Sequence, residues 1–191
     1  MNLRPGTPED LPLLVQVDLE DEGVTPGYRE GWGDEDFVVH RENMAAYLRD
    51  RDKGAIVAFA PNEPSIGLLM WRIRNLKNER LESWDVFSQI RGVWPPTGIV
   101  CEIFQLWVDP RFRRQGIGSA LKLALDDVAR KQGAELIYTH TEERNLHVID
   151  LNIKLGYREV RRGTIWDDVI RVSLVKDLTA RSIYGCIEHD H

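Results

Sequence analysis

Cysteine is scarce in this 191-residue sequence, and long apolar runs are missing. Cys101 and Cys186 lie far apart and without metal-ligand spacing, which argues against a disulfide framework and against a cysteine metal site. No apolar run approaches the ~20 residues that a membrane-spanning helix needs. The segment MNLRPGTPED also lacks the apolar region of a signal peptide. We therefore expect a cytoplasmic protein with free thiols, no bound metal and no membrane partner.

Positive charge is in deficit. The chain has 25 Lys and Arg residues against 31 Asp and Glu residues, which gives a net charge of −6. A body of this sign repels phosphate backbones, so we expect no nucleic-acid partner. Any site for an anion must therefore be local. The length and the 42% content of hydrophobic residues predict one domain with a sizeable core.

Helix and strand patterns alternate along the first half of the chain. We predict a strand at 2–4, a helix that opens at Thr7-Pro8, a loop over the acidic segment 20–36 and a helix over about 41–51. The runs 55–60 and 65–73 flank the turn signal PNEP and predict an antiparallel hairpin. We interpret residues 74–97 as an insertion that packs against the body, with a short helix at 83–91.

The second half predicts a strand at 99–108, a helix from Gly116 that ends near Gly133, a strand at 134–141, a helix at about 145–155 and two final strands. The strand–helix–strand order in the middle predicts one parallel pair inside a mixed, mostly antiparallel sheet. We expect an α+β protein with a single domain over 1–177 and a polar tail over 178–191.

The stretch RFRRQGIGSAL, residues 111–121, joins a predicted strand to a predicted helix. A helix N-terminus presents backbone N–H groups that have no intrahelical partner, and it carries a partial positive charge. Glycines let an anion approach those amides without obstruction by a Cβ. The pattern excludes a P-loop, because Ser119-Ala120 follows the second glycine, and it excludes the dinucleotide fingerprint, because residue 121 is leucine. It predicts a phosphate site.

Two motifs in the chain resemble the GNAT superfamily of acyl-CoA-dependent N-acetyltransferases. The first is V-D-P-x-x-R-R-Q-G-I-G-S-A-L, in which Arg113, Gly116 and Gly118 occupy the family's signature positions. The second is N-x-x-x-x-x-L-x-x-K-L-G-Y over residues 145–157. The resemblance implies a mixed sheet whose parallel central strands splay apart, with helices on both faces. It also implies an enzyme that uses acetyl-CoA.

The resemblance further implies which residues hold the coenzyme. Its pantetheine arm would pair with the backbone of Leu106, Trp107 and Val108. Its pyrophosphate would lie on the backbone amides of the turn, formed by Arg113, Arg114, Gln115, Gly116, Ile117, Gly118 and Ser119. Asn145 and Asn152 would also contact it. Two alternatives stay open: Asn145 as a plain helix N-cap, and Trp107 as a packing residue.

Acetyl transfer to an amine needs a base for the amine proton and benefits from an acid for the leaving thiolate. Glu102 is our candidate base, by similarity to family members with a glutamate on this strand, although a strand-end carboxylate in solvent is an equal interpretation. Asn152 stands where many members have a tyrosine that protonates the thiolate, and an asparagine cannot release that proton. We expect either transfer without a dedicated acid or another donor, such as Tyr157, His140 or His147.

The acceptor is predicted to be a primary amine of a small molecule or a peptide, acetylated by direct attack in a ternary complex. Its candidate contacts are the acidic and aromatic residues Glu22, Trp32, Asp36 and Trp84. Acidic loops also serve solubility, and aromatic insertions also serve core packing or a homodimer. A non-catalytic acyl-CoA-binding module is the alternative function, and an interaction domain that has lost the coenzyme is a third.

Overall fold

A single mixed sheet with helices on both faces organises the protein. The computed structural model describes residues 1–21, 23 and 29–179. The strands are β1 (Asn2–Pro5), β2 (Lys53–Ala60), β3 (Glu63–Asn75), β4 (Ile99–Val108), β5 (Leu136–Glu142), β6 (Arg158–Gly163) and β7 (Arg171–Asp177). The helices are α1 (Leu11–Asp21), α2 (Asp34–Arg49), α3 (Val86–Gln89), α4 (Ile117–Lys131) and α5 (Leu146–Lys154).

The strand order in the sheet is β1-β2-β3-β4-β5-β7-β6. Strands β4 and β5 run parallel, and every other neighbouring pair is antiparallel. The crossover from β4 to β5 passes through α4, because parallel neighbours cannot be joined by a tight turn. The predicted α+β fold and its one parallel pair are confirmed.

Strands β4 and β5 separate soon after they pair. Their ladder holds the pairs Val100 with Leu136, Cys101 with Ile137 and Glu102 with Tyr138. Beyond Glu102, β4 continues to Val108 and β5 continues to Glu142 without further pairing between these described strands. The two strands therefore diverge and leave one edge of each unpaired, as the resemblance implied.

A β-bulge in β4 accompanies this divergence. Met70 of β3 pairs with Gln105, whereas the next residue, Trp71, pairs with Ile103, so that Phe104 is an extra residue. An extra residue bends the strand and increases its local twist. The bulge therefore redirects β4 at the level where it leaves β5.

Three apolar clusters stabilise the sheet, and the third joins α3 to β4, β5 and β7. On one face α4 packs Ile117, Leu121 and Leu125 against strand residues such as Leu69 and Ile103. On the other face α1 and α2 pack against β2 and β3 through a second cluster, formed by Leu14, Val17, Met44, Tyr47, Val57, Leu68 and Met70. The helical period predicted for α4 from its sequence is confirmed.

Two boundaries differ from the sequence prediction. Helix α1 extends to Asp21 and α2 begins at Asp34, so the loop predicted over 20–36 is shorter, and the predicted start of α2 at about 41 was wrong. The carboxylates of Asp34, Glu35 and Asp36 lie in the first turn of α2. Negative charge at that position is favourable to the helix dipole. These acidic residues, whose composition suggested a loop, therefore form the first turn of α2.

The segment 74–97 forms α3 and a 3-10 turn at Arg91–Val93, and α3 is shorter than the predicted helix at 83–91. Phe87 of α3 is fully buried against Tyr138 of β5, with 4.7 Å between ring centroids. Trp94 donates a hydrogen bond to the Phe87 carbonyl. The interpretation of this segment as an insertion stays a prediction. Cys101 is buried with a free thiol, while Cys186 and residues 180–191 lie outside the described residues.

Candidate functional site

The turn before α4 lies open on the surface. Asp109 caps a 3-10 turn at Pro110–Phe112 by accepting a hydrogen bond from the Arg111 amide. Arg114 and Gly116 then adopt positive φ values of 61° and 79°. These left-handed residues reverse the chain so that Gly116 becomes the N-cap of α4. The first-turn amides of α4 therefore begin the helix without intrahelical partners.

The two glycines of the turn leave room for a ligand. A Cβ built on Gly116 would meet no heavy atom within 4 Å. A Cβ on Gly118 would lie 3.6 Å from Leu151 of α5 and 4.0 Å from Leu106 of β4. The turn therefore lies beside the part of β4 that has left β5. The structure brings Leu106 and Gly118, two of the predicted coenzyme residues, together beside α5.

Uncompensated positive charge is present at this turn. Arg111 is ion-paired with Asp109 and with Glu63. By contrast, Arg113 and Arg114 form no ion pair with any described residue, and the Arg113 Nε donates a hydrogen bond of 3.1 Å to the Val108 carbonyl. Gln115 is exposed and Ser119 is half-buried. Two guanidinium groups thus remain available beside the amides.

The two asparagines of the second motif lie in and beside α5. Asn145 is its N-cap, and its Nδ2 lies 3.4 Å from the Thr141 hydroxyl. Asn152 is only 1% exposed, its Nδ2 donates to the Val148 carbonyl, and its buried Oδ1 has no partner among the described residues. A buried acceptor without a partner is uncommon. The Asn152 side-chain amide therefore already donates a hydrogen bond within the helix.

Glu102 lies where β4 and β5 part. It is buried, and its Oε2 accepts a hydrogen bond of 2.6 Å from the Arg72 Nε, with the Arg74 Nη1 at 3.7 Å. Arg74 in turn binds Glu79 and Asp85. The carboxylate is therefore held in place between two guanidinium groups rather than left in solvent, and its role as a base stays a prediction.

The face of the sheet that carries Glu102 is covered by α1 and α2. The ring of Tyr47 stacks on that of Phe104, the bulge residue, at 5.0 Å. Burial raises the pKa of Tyr47. Asp18 of α1 and His40 of α2 share a buried hydrogen bond of 2.8 Å. The Asp18–His40 pair was missed from the sequence, because its members are 22 residues apart and no local pattern links them.

The predicted acceptor contacts are spread over several elements. Trp32 lies against Phe37 and His40 at the start of α2. Asp36 accepts a hydrogen bond from the Gly33 amide, so this carboxylate caps α2. Trp84 is exposed. Glu22 lies outside the described residues. Trp32, Asp36 and Trp84, the three that the structure describes, make none of these contacts with Glu102.

His140 occupies the diverging part of β5, two residues after Tyr138. The pKa of His140 is lowered to about 4 by burial and by the nearby charge of Arg171, so the imidazole is neutral at pH 7. Its Nδ1 is buried and has no partner among the described residues. The ring of Trp166 lies edge-on to it, with 5.2 Å between centroids. Trp166 gave no signal in the sequence, because a lone tryptophan in a polar loop has no spacing to recognise.

Within residues 1–21, 23 and 29–179, no group of three or more His, Cys, Asp or Glu side chains is arranged to hold a metal ion. No helix in the same ranges combines the length and apolarity needed to cross a bilayer.

Comparison with known proteins places this geometry in a family. The model of the acetyltransferase (GNAT) family matches residues 18–157. No curated protein sequence matches the chain significantly.

Solved structures share the fold at low identity. Arabidopsis thaliana NAA60 with a bisubstrate analogue is 20% identical, with 92% of this chain and 97% of that chain covered and a TM-score of 0.69. The same protein has been solved with acetyl-CoA. The ribosomal-protein-S18-alanine N-acetyltransferase of Escherichia coli is 15% identical, with coverage of 96% and 97% and a TM-score of 0.59. A variant of the spermidine N-acetyltransferase SpeG of Vibrio cholerae is 15% identical, with coverage of 93% and 95% and a TM-score of 0.62.

Proposed function

The chain belongs to the acetyltransferase (GNAT) family, and we propose that it transfers the acetyl group of acetyl-CoA to a primary amine by direct attack in a ternary complex. One observation carries the proposal. The open, glycine-bounded turn at the start of α4 lies next to the unpaired edge of β4, beyond its last pair with β5 at Glu102. An anion-binding turn and a free strand edge suit the two ends of coenzyme A, its pyrophosphate and its amide-containing pantetheine arm.

The residues present fit that coenzyme. The backbone amides over 113–119 would hold the pyrophosphate, because the space above Gly116 is empty of protein atoms. Arg113 and Arg114 would add positive charge to an otherwise acidic protein. The edge of β4 from Leu106 to Val108 would bind the pantetheine amides as an added strand would, although the Val108 carbonyl already accepts from Arg113.

The reaction forms an N–C bond at the acceptor amine, breaks the C–S bond of the thioester and releases one proton from the nitrogen. Bound acetyl-CoA supplies the activated acetyl group. Glu102 would receive the proton, directly or through water, because it is the carboxylate nearest the point where the strands part. Arg72 and Arg74 keep this carboxylate oriented. Holding both substrates in place supplies much of the rate.

Three observations support an amine as the acceptor. The protein is acidic, Asp21 at the end of α1 lies beside Gln105 of β4 beyond the last β4–β5 pair, and structural neighbours include a spermidine N-acetyltransferase and a ribosomal-protein-alanine N-acetyltransferase. Desolvation by the surrounding protein raises the pKa of Asp21, and the hydrogen bond with Gln105 opposes that rise.

The test is release of free thiol from acetyl-CoA by the purified chain, with a panel of amines, amino acids, aminoglycosides and peptides. We expect turnover that requires both substrates and acetylated product that matches the released thiol. A chain that binds acetyl-CoA but releases no thiol with any acceptor would instead be a non-catalytic acyl-CoA-binding module. The engaged Asn152 amide at the position of the family's tyrosine favours this second candidate.

A further inference from the structure

A groove with two tryptophans lies next to His140 of β5. It has a volume of about 430 Å³ and is lined by Trp84, which precedes α3, and by Thr164–Asp168, which join β6 to β7. Trp84 is 66% exposed and Trp166 is 62% exposed. Large aromatic side chains exposed in one concave surface indicate a contact with another molecule.

The two carboxylates of the groove differ in what they already bind. Asp167 forms a two-pronged ion pair with Arg171, in which the Arg171 Nη2 lies 2.9 Å from the Asp167 Oδ2. The Arg171 hydrogen bond lowers the pKa of Asp167 to about 2. The Asp168 carboxylate, in contrast, has no cationic partner among the described residues and is exposed. One negative charge therefore remains in the groove.

The aromatic faces in the groove also suit a positively charged ligand. The guanidinium of Arg171 lies 4.2 Å from the centroid of the Trp166 ring, so one face of this ring already holds a cation. Arg171 is neutralised by Asp167, and His140 at the ring edge is uncharged at pH 7. A further cation in the groove would therefore meet an aromatic surface and the Asp168 carboxylate. Arg161, which has no ion pair among the described residues, directs its guanidinium to the Gly163 and Thr164 carbonyls and to Gln89.

The groove adjoins the proposed acceptor site. Trp166 contacts His140, which follows Tyr138, and Tyr138 pairs with Glu102 in the last rung of the β4–β5 ladder. A flexible acceptor whose amine is near Glu102 would therefore extend over β5 toward Trp166 and Trp84.

We propose that the groove between Trp84 and the loop Thr164–Asp168 binds a second positively charged group of the acceptor, an alkylammonium group distant from the amine that is acetylated. This rests on the proposed function, and it specifies that function, because a monoamine would leave the groove empty. An acidic ligand would be repelled by Asp168, and a purely apolar ligand would leave that carboxylate unpaired.

Steady-state kinetics with cadaverine and n-pentylamine test the proposal, because the two probes have the same carbon chain and differ in the second ammonium group. In the W84A/D168N variant we expect KM for cadaverine to rise about tenfold, with kcat nearly unchanged, and KM for n-pentylamine to stay the same. The conservative variant W84F/D168E should restore most of the lost affinity. D127N removes a carboxylate that is exposed on α4 and should change neither constant.

Calorimetric binding of cadaverine to the chain loaded with coenzyme A separates this proposal from the proposed function. Thiol release that is absent for every amine, with cadaverine still bound and the binding still lost in W84A/D168N, would overturn the acetyltransferase proposal but support the groove. Cadaverine affinity and KM that are equal in the native chain and W84A/D168N would overturn the groove. All substituted positions are exposed, so thermal unfolding should confirm that each variant is folded.

A second pair of probes distinguishes the source of the alkylammonium group. A tripeptide with lysine at its third position and the same tripeptide with norleucine there are compared by KM in the native chain and in W84A/D168N. A KM that is lower for the lysine peptide than for the norleucine peptide, with the difference lost in the variant, assigns the groove to peptide side chains. A KM that is lower only for cadaverine relative to n-pentylamine assigns it to small oligoamines. If neither difference in KM is present in the native chain, the proposal is overturned.

Discussion

The coenzyme side and the acceptor side of the diverging strands are built in different ways. The proposed coenzyme contacts come mainly from the segments 106–108 and 113–119, where backbone groups would form the site. The proposed acceptor side would be assembled from side chains of α1, α2, β5, the segment before α3 and the loop after β6. A backbone-made site tolerates an acidic protein around it, because a few aimed dipoles hold the ligand. A side-chain site changes whenever one contributing segment changes.

The largest effect should follow from filling the turn on the coenzyme side. In the double variant Gly116→Asp/Gly118→Asp, two carboxylates occupy the space where the pyrophosphate would lie, and we expect affinity for coenzyme A to fall about a thousandfold. Isothermal calorimetry measures it. Gly133→Asp is the matched control, because Gly133 also has a left-handed φ of 78° and lies beyond the opposite end of α4. Equal affinity in the double variant and the native chain would refute the site.

The next effect concerns the acceptor side. Glu102→Gln keeps the size of the side chain but cannot accept a proton, so we expect kcat to fall about a hundredfold while coenzyme affinity is retained. Thiol release at saturating acetyl-CoA measures it. Glu79→Gln serves as control, because Glu79 binds Arg74 in the same network but lies away from the strand edge. If Glu102→Gln turned over as fast as the native chain, the assignment of Glu102 as the base would be wrong.

A smaller effect separates backbone from side-chain contributions at the turn. Arg113→Ala/Arg114→Ala removes two guanidinium groups but leaves the amides, so we expect coenzyme affinity to fall about tenfold and to depend less on salt than in the native chain. Binding at two ionic strengths measures both quantities. Arg111→Ala should have little effect, because Arg111 is already paired with Asp109 and Glu63. A thousandfold loss in the double alanine variant would mean that side chains, not backbone, form this site.

The smallest effect on ligand binding is expected from substitution of Lys122, a lysine in the interior. Lys122 of α4 is buried beside Tyr157 and Asp126, and its pKa is lowered to about 7, chiefly by burial. Between pH 7 and about 10 the unfolded chain binds a proton that the folded chain does not, so Lys122 makes the free energy of unfolding rise with pH. The slope is at most about 1.4 kcal/mol per pH unit.

Lys122→Met should remove this pH dependence, raise stability at pH 7 and leave coenzyme affinity unchanged. Denaturant unfolding across that pH range measures the slope, with Lys131→Met, an exposed lysine at the end of the same helix, as control. Identical slopes in the native chain and Lys122→Met would show that Lys122 is not the titrating group.

The sequence predicted features that depend on neighbouring residues. The glycine-bounded start of α4, its apolar stripe and the parallel pairing around it follow from short-range patterns, and all are present. The start of α2 was missed because carboxylates both favour solvent and stabilise helix N-termini, and composition alone does not separate the two.

The acceptor side was less predictable because long-range register decides it. Glu102 was recognised as a candidate, but its pairing with Arg72 depends on how β3 aligns with β4 around the bulge. The contact of His140 with Trp166 likewise depends on where the loop after β6 folds back. Neither relation leaves a spacing that can be counted along the chain.

Phe104, the extra residue of the bulge, also determines toward which face of the sheet the later side chains of β4 point. Before it, Cys101 and Ile103 point toward α4, and after it Leu106 and Val108 do so, while Trp107 packs on the side of α1 and α2. Strict alternation without the extra residue would exchange Leu106 and Trp107 between the two sides. Loss or gain of one residue in this strand would thus place an indole next to the turn before α4, whereas the segment 74–97 and the loop after β6 can vary in length without such inversion. If the proposed assignments hold, the acceptor could therefore change through those two segments with the coenzyme side left intact.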